Sequence, residues 1–137
     1  MRALLQLIFL GIFVLSFAKE WTVKVRGQVV CNRQVVGNVA VELREHDILD
    51  PDDSFAFTRT DRNGYFSIKG KENEYTSISP YLRIIHDCDM SDRNGKKKCR
   101  RQSDYEIPTK AINADREFDM DLINLNIKGH SEKQICD

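Results

Sequence analysis

No stretch of this chain keeps apolar residues at a helical spacing over the roughly ten positions a helix needs, which argues against all-α and doubly wound α/β folds. The pattern C-x-x-C is absent, and with it the usual grammar of a structural zinc site. No serine sits in a G-x-S-x-G setting, so the nucleophile elbow of the common hydrolases is missing. No N-x-[ST] sequon offers a glycan acceptor. Histidine is limited to His46, His86 and His130. Charge of one sign is lacking too, since 21 basic residues face 21 acidic ones, and no nucleic-acid partner is implied.

What is present begins with an apolar run from Ala3 to Phe17 behind a single Arg2, ending in small residues at Ser16 and Ala18. This is the pattern of a secretory signal over residues 1–18, cleaved before Lys19. Cleavage leaves 119 of the 137 residues, with 20 basic side chains against 21 acidic, enough for one domain over residues 19–137. In an exported chain, four cysteines read as two disulfides.

The rest of the sequence alternates with a period of two. Val23, Val25, Gly27, Val29 and Cys31 share one face of a strand over residues 21–31, and Val39, Val41 and Leu43 share one face of the next. Residues 46–53, HDILDPDD, break the pattern as a loop. Residues 55–60 and 65–69 flank Asp61-Arg62-Asn63-Gly64, where Asn-Gly signals a tight hairpin. Residues 109–115 form another loop. In the last strand Phe118, Met120 and Leu122 point one way while Ile123, Leu125 and Ile127 keep the opposite parity, so a β-bulge is expected between Leu122 and Ile123. About seven strands with turns between them predict an all-β antiparallel sandwich.

Residues 79–108 form the chain's most distinctive stretch: SPYLRIIHDC, a polar tip, then CRRQSDYEIP. If Cys88 and Cys99 lie directly opposite, antiparallel pairing puts Leu82 against Tyr105 and Ile84 against Ser103, so the covalent link and the alternation demand one register. The expected bridges are therefore Cys88–Cys99 across the hairpin and Cys31–Cys136 between first and last strands lying side by side.

Together with VRGQVVCN, LDPDD, TDRNGYFSIKG and FDMDLINLNIKG, these blocks resemble the transthyretin-like family of secreted nematode proteins, from about Val23 to Cys136. The resemblance implies a transthyretin-like, immunoglobulin-like β-sandwich that acts outside cells without a common catalytic activity. The hydroxyisourate hydrolases of the same fold carry a histidine on the first strand, an arginine closing T-N-x-D-G-R, and a C-terminal Y-R-G-S. Here the first strand has no histidine, Tyr65 stands at the arginine position, and the chain ends GHSEKQICD. Nothing in the chain independently specifies the hormone channel of tetrameric transthyretin, and the oligomeric state stays open.

Candidate chemistry is correspondingly sparse. His86 falls opposite Arg101 beside Asp87, a place for a structural histidine satisfied by a carboxylate or backbone carbonyl. Asp87-x-Asp89-x-Ser91 opens like an EF-hand loop but has Asp92 at the glycine position and Lys98 at the final glutamate. Asp47, Asp50, Asp52 and Asp53 can supply oxygens to an irregular calcium site or simply make a solvated loop. The expectation is no metal, no cofactor and no catalytic residue. The sharpest candidate is the tip, where Arg93, Lys96, Lys97, Lys98, Arg100 and Arg101 concentrate positive charge on a nearly neutral protein. It suits an anionic membrane or glycan, or an acidic face of an extracellular protein receptor, the bland alternative being a loop kept soluble by its charges, which Asp89 and Asp92 partly offset. A carrier of a small hydrophobic ligand is the alternative, and a divergent hydrolase a third.

Overall fold

The computed structural model describes residues 18–47, 51–90 and 99–136. Nine strands follow in chain order: β1 (Lys19–Cys31), β2 (Gln34–Val35), β3 (Ala40–Glu45), β4 (Asp53–Arg59), β5 (Tyr65–Glu74), β6 (Pro80–His86), β7 (Cys99–Glu106), β8 (Phe118–Asn124) and β9 (Ser131–Cys136). One sheet is built on β1, which pairs antiparallel with β2 and β5 and parallel with β8. The other runs β4-β3-β6-β7-β9, antiparallel throughout. This is the β-sandwich expected from the alternation.

Valines dominate the inward row of β1, where branched side chains suit a pleated, buried face. Val23, Val25 and Val29 lose all solvent contact, as do Val41 and Leu43 on β3 and Leu82 and Ile84 on β6. With Phe66, Ile68, Ile123 and Leu125 they form one apolar cluster between the sheets. On β3 the inward row ends on a charged residue, since Glu45 is buried as well.

Three expectations are corrected here. The Asp61–Gly64 turn forms: the Gly64 N–H donates to the Asp61 carbonyl at 3.0 Å, and the Asp61 carboxylate accepts from the N–H groups of Asn63 and Tyr65. Yet β4 and β5 belong to different sheets, so the turn is a corner rather than a hairpin. Only Gly64 in it has positive φ, and a Cβ there would come 2.6 Å from the Val29 carbonyl oxygen. Turn chemistry reverses the chain but does not choose the lateral neighbour.

The last expected strand is followed by one more, not expected from the sequence. β8 lies beside β1, with a register shift that sets Asp119 and Leu122 against Arg26 and Gln28, and Asp121 at φ 56° absorbs the extra residue. The bulge therefore falls before Leu122, which is exposed, while Ile123 and Leu125 enter the core. A further strand, β9, joins the far edge of the other sheet against β7.

The third correction concerns the cysteines. The register of β6 and β7 is the expected one, Leu82 against Tyr105 and Ile84 against Ser103, but pairing stops at His86 and Arg101. Beyond it the chain turns, with the Met90 N–H donating to the Asp87 carbonyl and Asp89 at φ 59°. Cys88 points between the sheets and bonds Cys31 on β1, their Cα atoms 5.9 Å apart. Cys99 bonds Cys136, its direct partner on β9. The last expected strand does lie beside the first, as β8 on β1, but the chain then crosses to the other sheet and β9 carries Cys136 away from Cys31, so the Cys31–Cys136 bridge fails.

Candidate functional site at the cysteine-anchored end

Of the basic tip, Arg93, Lys96, Lys97 and Lys98 lie outside the described residues. Its two roots are described. Cys88 ties the end of the first arm to the opposite sheet, and Cys99 ties the start of the second to the edge strand. Asn126 adds a polar clamp: its amide donates to Asp89 Oδ2 and to Asn32 Oδ1, both at 2.7 Å, while its Oδ1 accepts from the Asn32 N–H. The β1–β2 turn, the segment after β6 and the turn after β8 are thereby joined.

Arg100 and Arg101 part company. Arg100 is exposed, whereas Arg101 turns its guanidinium inward, donating to the Leu125 carbonyl at 2.8 Å and the Cys88 carbonyl at 3.3 Å. It also forms an ion pair with Glu132 at 3.1 Å. A guanidinium so engaged has few donors left for a partner. Arg101 leaves the set of surface-binding residues and becomes part of the scaffold.

Beside it, His86 and Ser103 are arranged like a base and a nucleophile, Nε2 to Oγ at 2.8 Å, both buried. Their roles follow from the other ring nitrogen. The Cys88 N–H can only donate, and it meets His86 Nδ1 at 3.1 Å. Nδ1 is therefore the acceptor, and in the neutral ring Nε2 carries the proton and donates it to Ser103. Burial, with Arg101 adding repulsion, pushes the His86 pKa down to about 4. Burial alone would raise Glu132, but the Gly129 N–H, the Ser103 hydroxyl and Arg101 hold it below the ordinary carboxylate range. The histidine thus donates to the serine, opposite to the direction a hydrolytic serine requires. His86 pairs with a backbone N–H and a hydroxyl, where a carboxylate or backbone carbonyl was expected.

The other two histidines gather elsewhere. His46 stacks on Tyr81 with ring centroids 4.2 Å apart, and His130 meets both rings edge-on at 6.2 Å. Tyr81 donates to Asp52 Oδ2 at 2.8 Å and accepts from Arg44 Nε at 3.2 Å, while Asp52 also bonds His46. Asp52 is thus committed to the fold, and Asp50 of the four-aspartate set lies outside the described residues. Alternation predicted the burial of its neighbours but missed Tyr81, which stands on the outer parity of β6 and is covered by loops distant in sequence. An open groove of about 570 Å³ lies on the exposed side of the β1 sheet, edged by Arg26, Tyr65, Asp121 and Leu122.

Comparison with known proteins places this geometry. The model of the transthyretin-like family matches residues 26–108. The chain belongs to the transthyretin-like family. It is 39% identical over 137 residues to transthyretin-like protein 16 of Caenorhabditis elegans, covering 99% of each chain. Transthyretin-like protein 2 of the same organism is 30% identical over 146 residues, with 98% of this chain and 96% of the relative covered. Transthyretin-like protein 5 is 41% identical over 90 residues, 65% of this chain and 62% of that one. The transthyretin-like match includes both arms, Cys31, Cys88 and Cys99, and Tyr65 where the hydrolases of this fold carry arginine.

Proposed function

We propose that this transthyretin-like protein is an exported, non-catalytic binding module that docks on anionic phospholipid surfaces through the basic loop between β6 and β7. The observation that carries the reading is the double anchoring of the loop's roots, one disulfide to each neighbouring strand system, with Asn126 and Arg101 bracing them. Fixed roots lower the entropy lost when the loop meets a surface. Arg93, Lys96, Lys97 and Lys98 supply the charge, with exposed Arg100 at the base and exposed Arg33 in the neighbouring β1–β2 turn. Each basic residue near an anionic membrane contributes about 1 kcal/mol, so four to six suffice for useful affinity.

Export is supported by the apolar run before Ala18 and by two disulfides that an oxidising compartment preserves. The donation from His86 Nε2 to the Ser103 hydroxyl supports a non-catalytic role. The surface groove suits a carrier poorly, because Glu117, Asp119 and Asp121 crowd its rim. Flotation with vesicles tests the reading: recovery with vesicles containing phosphatidylserine, and none with phosphatidylcholine alone, supports it. Equal recovery with both, or with neither, refutes it.

A further inference from the structure

At the other end of the sandwich the two inward rows finish on acid. β3 carries Val41, Leu43 and then Glu45, while β5 carries Phe66, Ile68, Gly70 and then Glu72 and Glu74. Carboxylate oxygens of Glu45, Glu72 and Glu74 all lie within 4.8 Å of one another. Three carboxylates gathered between two sheets repel one another and lose hydration, which no folding argument favours on its own. Among the described residues none of the three forms an ion pair. Lys19, the ladder partner of Glu74, sets its ammonium 4.3 Å from the centre of the Trp21 ring instead.

A second observation is independent of the clustering. Glu45 is only 2% exposed, and its Oε1, shielded from solvent, takes no hydrogen bond among the described residues. Buried carboxylate oxygens are nearly always satisfied, so an orphan of this kind marks a missing donor or cation.

We propose that Glu45, Glu72 and Glu74 hold a divalent cation of the calcium type, which clamps the two sheets together at the end opposite the Cys31–Cys88 bridge. The spacing fits, because calcium–oxygen distances of about 2.3–2.6 Å allow two ligands of one ion to stand up to about 5 Å apart. An all-oxygen donor set favours calcium over zinc or copper. Asp53, ladder partner of Glu45, and Asp47 add negative field around the trio. The clamp complements the disulfide, since Ala40 starts β3 near the cysteines and Glu45 ends it about 17 Å away at the rise of an antiparallel strand. The site is independent of the membrane reading, which concerns the far end.

Trp21, the single tryptophan, faces Glu72 in the ladder and its Nε1 donates to the Glu74 carbonyl at 3.4 Å, so it can sensitise a lanthanide held by the trio. The test titrates the whole protein with Tb³⁺ under tryptophan excitation, then with Ca²⁺ as competitor, and measures melting with and without Ca²⁺. The expected result is saturable luminescence displaced by Ca²⁺, with Kd of about 10⁻⁴–10⁻³ M as in extracellular calcium modules. Ca²⁺ should raise the melting midpoint by several degrees, and the double variant Glu72→Gln, Glu74→Gln should lose both responses at least ten-fold. The Lys96→Glu, Lys97→Glu, Lys98→Glu variant should keep both. No Ca²⁺-displaceable luminescence and no melting shift in the unaltered protein would overturn the proposal, whatever the variants do. So would full retention of both responses in the double variant.

Discussion

Cys99 lies opposite Cys136 across the β7–β9 ladder, their Cα atoms 4.1 Å apart, and not opposite Cys88, which reaches into the other sheet to Cys31. Non-reducing peptide mapping should recover these two linked pairs and no peptide joining Cys88 to Cys99. The bridges close loops of 57 and 37 residues, and loop-closure entropy makes each worth about 4 kcal/mol. Replacing Cys31 and Cys88 together by alanine should therefore cost several times more stability than an exposed substitution.

Stability should fall toward both acid and alkaline pH, for two separable reasons. His86 has a folded pKa near 4 against 6.5 unfolded, so its contribution is complete above about 6.5 and is lost as pH falls through 4. The full loss is about 3 kcal/mol. Glu45, raised to about 8 from 4.5, acts in the opposite direction: its neutral form is favoured in the fold, and stability declines as pH rises from about 4.5 through 8 when no cation is present. Urea unfolding across this range should show the acid limb flattened in His86→Gln and the alkaline limb flattened in Glu45→Gln.

Arg100 and Arg101 should separate function from scaffold. Arg101→Ala strands Glu132 and leaves the Leu125 carbonyl without its donor, a loss of about 2–3 kcal/mol by urea unfolding. Arg100→Ala, at an exposed position, should cost under about 0.5 kcal/mol while weakening vesicle binding.

Hydroxyisourate should not be consumed faster with the protein than without it. The arginine position holds Tyr65, and the His86–Ser103 pair has its proton on the wrong nitrogen to activate the serine. Ultraviolet progress curves overlying the buffer control are expected; a rate above control abolished by His86→Gln would contradict the reading.

Much of the fold was legible because alternation is a local signal. The inward rows of β1 and β3 follow from period two alone, and the phase change near Leu122 announced a bulge. The β6–β7 register is the expected one, although that expectation sets Cys88 opposite Cys99, which do not bond. The disulfides were not legible, since the parity that correctly turned Cys88 inward cannot say whether its partner lies across the ladder or across the core. The same limit turned the Asp61–Gly64 corner into an expected hairpin. β9 was missed because SEKQIC is polar on both faces, as an exposed edge strand should be. Ser103 and Glu132 gave no signal, because their meeting joins residues 29 apart through a ladder not foreseen. Glu45, Glu72 and Glu74 were within reach: each continues the inward parity of its strand, and a carboxylate on that parity contradicts the pattern around it.

The central claim is that the loop between β6 and β7 is a docking surface and not merely a solvated tip. Flotation with phosphatidylserine-containing vesicles at low salt, comparing the native protein with the Lys96→Glu, Lys97→Glu, Lys98→Glu variant, tests it most directly. The account predicts that the native protein floats and the variant does not. It also predicts that binding fades as the Debye length shrinks from about 8 Å at physiological salt to about 3 Å at 1 M, with unfolding midpoints of the two proteins alike. Equal flotation of a correctly folded variant would contradict it and move the binding surface to the sheet faces.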